Sequence, residues 1–383
     1  MNRNPVNRRL GVSGALAIGA SALILLAGCA APAAEETAAP TDSSNGADLE
    51  AAQAVVDQYQ TAPDKINQTV PLSGKLASKG TIIFIQSELP ATGLIAGGAE
   101  EAVKAIGWNY ESVAYENANP ATLKAAFLTA LSKEPDAVIV AGSNPTTYGD
   151  DILTAYKNAG VPIIVGSVCP LDAVEPLVAG GVGCEAEDAA GRALANWFIA
   201  DSKGEGKAVF ENVTAIPSLA AYVKAFTEEV TDKCPDCTVQ TLEVTLAQVG
   251  AGEVVPTVVN TLRSNPDLTY AFFDNAQFSK GIVAALQAAG LGDTITVGGR
   301  SMDEGAQGAL KDKTEAAWTA FAYNVAGYSN VDAALRVLTK SDGGENTSVL
   351  PFQLVTQKTV EGTTVPYRYP ADALDQYLEL WGK

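Results

Sequence analysis

From residue 81 onward, short continuous apolar runs alternate with longer stretches in which apolar positions recur every three or four residues. Thr81-Ile82-Ile83-Phe84-Ile85, Ala137-Val138-Ile139-Val140 and Val161-Pro162-Ile163-Ile164-Val165 have strand length and no polar face. Such runs predict parallel strands covered on both sides. The stretches from Leu94 to Ile106, 121–132 and 149–159 predict helices, and 110–115 a further strand. After Gly183 the alternation starts again. Helices are expected at 187–201, 218–231, 253–264 and 278–289. Strands are expected at Lys207-Ala208-Val209-Phe210, 238–244, Tyr270-Ala271-Phe272-Phe273 and Thr294-Ile295-Thr296-Val297-Gly298. Strand–helix alternation on this scale gives an α/β layer structure. No Pro/Ser-rich linker lies near residue 185, so the two halves are expected to face each other across a cleft rather than stand as separate beads. Residues 315–356 hold elements expected to cross back and complete both sheets. The fold class is α/β: two doubly wound parallel-sheet lobes joined by crossing hinge strands around a ligand cleft.

The N-terminus has a different pattern. Arg3, Arg8 and Arg9 precede an uncharged stretch from Leu10 to Gly28, which ends Leu26-Ala27-Gly28-Cys29. This order resembles a bacterial lipoprotein signal, in which small residues fit the peptidase and the thiol receives lipid. A spanning helix needs about 20 apolar residues, and this stretch is short and interrupted by Gly and Ser. The expected organisation is a signal peptide at 1–28, a flexible tether at 29–47 and an N-terminal extension at 48–80. That extension opens with a short helical pattern through Leu49, Val55, Val56 and Tyr59. The N-terminal lobe then takes 81–184 plus about 322–348, and the C-terminal lobe 185–321 plus about 349–383. The chain is expected outside the cytoplasm, anchored by lipid on Cys29.

Composition narrows the chemistry. None of the 383 residues is histidine, which excludes a Ser-His-Asp or Cys-His catalytic group and any His-ligated metal. With 25 basic against 44 acidic residues the net charge is −19, and such a surface repels nucleic acid. No metal or cofactor is expected. Setting Cys29 aside leaves four cysteines, an even number suited to an oxidising compartment. Cys234 and Cys237 follow the helix of 218–231, where a local disulfide is expected. A redox pair would want its first Cys at a helix N-terminus, and a zinc site would want a second such pair. Cys169 and Cys184 then pair by elimination, both beside predicted strand ends.

Several phrases occur in a telling order: Lys133-Glu134-Pro135-Asp136-Ala137-Val138-Ile139-Val140, Lys157-Asn158-Ala159-Gly160-Val161-Pro162, Cys184-Glu185-Ala186-Glu187-Asp188-Ala189-Ala190-Gly191-Arg192, Leu262-Arg263-Ser264-Asn265-Pro266-Asp267, Phe273-Asp274-Asn275 and Leu286-Gln287-Ala288-Ala289-Gly290. Over about residues 80–357 the chain resembles the periplasmic sugar-binding proteins of ABC importers, of the ribose-binding type. The resemblance implies a monomer that closes on a small-molecule ligand and delivers it to ABC permease subunits in the membrane. No enzyme activity is implied. The rivals are a sensor that presents its closed form to a membrane receptor, and an extracellular carboxylate-dependent hydrolase.

Laid on that family, the expected cleft departs from a sugar site. Ser87 and Glu88 stand in a first loop without the family's stacking aromatic. Ser167 stands where an Asp-Arg pair is usual, and Asn144 ends another strand of the same lobe. Tyr222 replaces an arginine, Asn275 is kept, Arg300 replaces an aspartate and Phe321 a glutamine, with Trp318 and Tyr323 close by. These ten residues are the expected ligand contacts. Lost charge and gained aromatic surface suit an apolar or aromatic body, with Arg300 able to pair a ligand carboxylate; a sugar, whose ring also stacks on aromatic faces, stays open beside it.

Overall fold

The computed structural model describes residues 46–117, 119–342 and 350–383. The signal peptide, Cys29 and the tether up to residue 45 lie outside the described residues. Helix α1 (Leu49–Gln60) starts the extension, capped by the Asp48 carboxylate on the Ala51 amide. The first lobe runs β1 (Thr81–Ser87), α2 (Pro90–Ala105), β2 (Asn109–Tyr115), α3 (Pro120–Leu131), β3 (Ala137–Ala141), α4 (Asp150–Ala159), β4 (Ile163–Gly166) and β5 (Leu177–Ala179). The second runs α5 (Cys184–Asp201), β6 (Lys207–Asn212), α6 (Pro217–Lys233), β7 (Thr238–Glu243), α7 (Leu246–Gly250), α8 (Val254–Ser264), β8 (Tyr270–Phe273), α9 (Ile282–Ala289), β9 (Thr296–Arg300), α10 (Glu304–Lys311) and β10 (Ala317–Phe321). The chain then crosses back through α11 (Tyr323–Thr339), returns as β11 (Phe352–Thr356) and ends in α12 (Ala373–Leu380).

The first sheet has order β2-β1-β3-β4-β5 and is parallel throughout. The second has order β11-β10-β9-β8-β6-β7, with β11 alone antiparallel. The apolar runs became these strands because both faces are covered: Ile82, Ile83, Phe84 and Ile85 are all fully buried. Proline starts α2, α3 and α6 directly after strand-end loops, where its missing N–H costs nothing. Gly160 and Gly290 end α4 and α9 in the left-handed conformation, φ 70° and 73°, which the glycines of the two Ala-Gly phrases supply.

Four expectations change. Helix 253–264 is preceded by α7, set up by a Thr245–Gln248 capping box. The helix expected from 278 starts at Ile282, because Asn275 caps a separate short turn at Ala276–Phe278. The crossing elements complete only the second sheet, since α11 packs on α2 of the first lobe. There Gly98 and Gly327 admit the facing backbone, which a Cβ at either position would strike. Finally, α12 packs on α11, so the end of the chain docks on the first lobe and not the second. Disulfides join Cys169 to Cys184 and Cys234 to Cys237. The first ties the loop after β4 to the start of α5. No helix among the described residues is long and apolar enough to cross a membrane.

Candidate functional site

In open parallel sheets the loops at the carboxyl ends of the strands are free to bind ligands. Here a cavity of about 660 Å³ lies among such loops. Pro90, Ala91 and Leu94 of α2 line it from the first lobe, and the segments after β8, β9 and β10 line it from the second. Asn275, Phe321 and Tyr323 are expected contacts that the structure places in its lining. The Asn275 Oδ1 accepts from the Gln277 backbone N–H at 3.1 Å, while its amide nitrogen donates to no described residue. That nitrogen is a donor available to a ligand.

Arg300 has another occupation. Its Nε and Nη2 donate to the Glu187 carboxylate at 2.9 and 2.6 Å, and its Nη1 donates to Ser301 Oγ at 2.7 Å. The guanidinium also lies 4.7 Å from the Phe321 ring centroid. Arg300 is only 2% exposed and Glu187 fully buried. Burial raises the Glu187 carboxyl above its ordinary value, and the Arg300 charge works against that rise. The expected ligand carboxylate is thus replaced by a carboxylate of the chain itself. Two aromatics also leave the expected site. The Tyr222 hydroxyl meets Thr319 Oγ1 at 3.0 Å in full burial, and Trp318 is fully buried with its Nε1 donating to Glu315 at 2.7 Å. Neither lines the cavity.

The four expected contacts of the first lobe serve its loops. Ser87 Oγ meets Thr92 Oγ1 at 3.0 Å, and Glu88 accepts from the Asn117 backbone N–H at 2.9 Å. Asn144 Oδ1 accepts from the Thr146 N–H at 3.1 Å, capping a short turn. Ser167 sits at φ 54° with its N–H bonded to Gly181 O. None of the four is in the cavity lining.

Sequence reading missed three features. Glu211 and Asp274 end the neighbouring strands β6 and β8, both fully buried. Asp274 Oδ2 accepts from the Val213 N–H at 2.6 Å, and its own N–H donates to Glu211 at 3.3 Å. Burial pushes the Glu211 carboxyl up to about 10, with the Asp274 charge adding to it, and burial pushes Asp274 up to about 7. Burial favours the protonated form of this pair. Glu315 lines the cavity, raised to about 7 by burial. Residues 365–368, beyond the last strand, supply a wall. Glu211 had one signal: it occupies a position where a buried strand would be apolar.

The geometry is that of a binding pocket. Among the described residues no group of three or more His, Cys, Asp or Glu could hold a metal. Among curated proteins none matches the sequence. Solved structures share the fold. An ABC transporter solute-binding protein of Burkholderia graminis in complex with D-arabinose superposes with TM-score 0.65 at 16% identity, over 76% of this chain and 99% of that one. The 5-methylthioribose transporter solute-binding protein of Thermotoga lettingae, in complex with 5-methylthioribose, gives 0.64 at 14%, over 82% and 96%. A carbohydrate transporter solute-binding protein of Agrobacterium radiobacter, with D-arabinose, gives 0.61 at 20%, over 74% and 96%. A sequence model described as the periplasmic binding protein domain matches residues 81–342. On that match the chain belongs to the periplasmic binding protein family, and its two lobes have the type I fold.

Proposed function

We propose that this chain is the extracytoplasmic substrate-binding lipoprotein of an ABC importer, held to the membrane by lipid on Cys29. Its ligand is an uncharged, hydroxylated small molecule, a sugar or polyol carrying an apolar substituent. Family membership implies work outside the cytoplasm and binding without chemistry. The observation that carries the reading is the cavity of about 660 Å³ between strand-end loops, with a free Asn275 amide among mainly apolar walls. Pockets of roughly 300–1,000 Å³ suit ligands of drug-like size. An apolar or aromatic acid, the expectation from sequence, loses its anchor because Glu187 already neutralises Arg300. The 5-methylthioribose held by the Thermotoga protein has the favoured chemistry, a pentose with a small apolar group.

The test is mass spectrometry of small molecules released from natively purified protein, followed by uptake of the identified compound. Cells lacking the chain lose that uptake, and cells with Cys29→Ser hold the chain as an unlipidated precursor and lose it too. Undiminished uptake in both strains overturns the importer reading. An organic acid as the released compound overturns the ligand class.

A further inference from the structure

The family match stops at residue 342 and the second sheet is complete at Thr356. The remaining residues, 357–383, form an arm that runs from one lobe to the other. Near its start Gln357 Nε2 donates to Glu315 O at 2.8 Å, and Gln307 Nε2 of α10 donates to Thr363 O at 2.6 Å. Both hold the arm on the second lobe. Next, Val365, Pro366, Tyr367 and Arg368 pass along the cavity, and Arg368 pairs with Glu101 of α2 at 3.4 Å. The arm ends on the first lobe. There Tyr377 packs edge-on against Tyr328, and Trp381 Nε1 donates to Asp332 Oδ1 at 2.8 Å.

Asp332 is the fastening point. It is fully buried in α11 and also accepts from Arg336 Nε at 2.7 Å and Gln68 Nε2 at 3.3 Å. Gln68 belongs to the N-terminal extension, which meets the arm again where the Leu72 N–H donates to Leu380 O at 2.9 Å. Part-buried bonds at the start and buried ones at Asp332 fix the middle, and an unfastened surface tail would show none of them. Tyr367 is accordingly only 3% exposed. Its hydroxyl has no hydrogen-bond partner among the described residues, so its ring carries its contacts. Leu94, Ile282, Met302 and Phe321 line the same cavity, and the charge of Arg368 already has its partner in Glu101.

We infer that the C-terminal arm is part of the ligand site: Pro366 and Tyr367 are specificity-determining residues that receive the apolar substituent of the ligand, and Asp332 with Trp381 positions them. The inference rests on the ligand class proposed above and adds which residues read the substituent. The test is calorimetric titration of the full chain with matched pairs: phenyl and methylthio derivatives of common pentoses and hexoses, each against its parent sugar. The expected result is at least tenfold tighter binding of a substituted member than of its parent. Tyr367→Ala and the milder Tyr367→Leu should cut that preference severalfold. Trp381→Phe, which removes the bond to Asp332, should weaken binding of the substituted probe. Equal affinity within every pair, or a preference unmoved in all three variants, overturns the inference and leaves the importer reading standing. Failure of every pair to bind overturns the ligand class and the inference with it, whereas failure of the importer reading shows as undiminished uptake. If Tyr367→Ala does not fold, Tyr367→Leu and Trp381→Phe decide.

Discussion

The two lobes differ in the side chains buried beneath the loops that surround the cavity. At the strand ends of the first lobe stand the buried residues Ser87 and Ser143, with Thr92 of α2 bonded to Ser87, and the hydroxyl of Tyr148 donates to the Ser143 carbonyl at 2.9 Å. At the strand ends of the second stand buried charges: Arg300 on Glu187, and Glu211 beside Asp274. Neutral hydroxyl networks can exchange partners at little cost, because each net bond is worth about 0.5–1.5 kcal/mol. Buried charges cannot, since an unpaired one costs several times more. The strand ends of the second lobe are therefore a preset floor, and those of the first are held by bonds that cost less to exchange. Parallel sheets of one architecture have been given unlike roles through a few side chains at their carboxyl ends.

Breaking the Arg300–Glu187 pair tests that contrast most severely. Arg300→Met leaves Glu187 buried without its cation, and such a change costs about 3–5 kcal/mol. Chemical denaturation should show a loss of that size, and Glu187→Gln a comparable one. Arg300→Met with Glu187→Leu should recover much of it, because a packed apolar pair replaces an ion pair without orphaning a charge. A loss under about 1 kcal/mol in both single variants would remove the preset floor from the account.

The same pair shows what the sequence concealed. Buried strands and helices announce themselves through continuous apolar runs and the 3.6-residue period, which are local. The run from Thr81 to Ile85 needed no knowledge of its partners to be read as a buried strand. Arg300 and Glu187 are 113 positions apart, and no period links them. A lone arginine at a strand end carries the same signal whether it waits for a ligand or is satisfied within the chain. Tyr222 and Trp318 had the same ambiguity: an aromatic beside a cleft and an aromatic under it differ only in their neighbours. Asn275 was legible through its phrase, since the Asn that caps a turn is also the residue beside the cavity. The arm at 357–383 lies past the family's pattern and repeats none of its phrases, so its role at the cavity wall had no local mark.

A subtler probe is the titration of Glu211 and Asp274. Both folded values are raised above the ordinary carboxyl range, to about 10 and about 7. The folded chain therefore keeps protons that the unfolded chain gives up near pH 4.3. Stability from the pair is fully present below that pH and is lost as pH rises through 7 toward 10. Glu211→Gln removes one titration while keeping a donor beside Asp274. Melting curves across pH 5–9 should then fall less steeply for the variant than for the parent chain. Parallel profiles for the variant and the parent chain would show that Glu211 is not the group that titrates.

The smallest change concerns the first lobe and decides what its hydroxyls are for. Ser87→Ala removes the bond to Thr92, but Thr92 Oγ1 still donates, with Leu89 O at 2.8 Å and Ser87 O at 3.0 Å as acceptors. The change also takes away the long 3.4 Å acceptor of the half-buried Leu89 N–H, so the stability cost is about 0.5–1.5 kcal/mol, still far below that of Arg300→Met. Ser87 serves its own loop and does not line the cavity. If the first lobe rearranges its hydroxyls around the ligand, Ser87→Ala should also weaken binding by about two- to tenfold, the equivalent of one neutral hydrogen bond. Titrating the compound recovered from the native protein measures this directly. An affinity unchanged beside a small stability loss would confine Ser87 to shaping the loop, and both floors of the cleft would then count as preset.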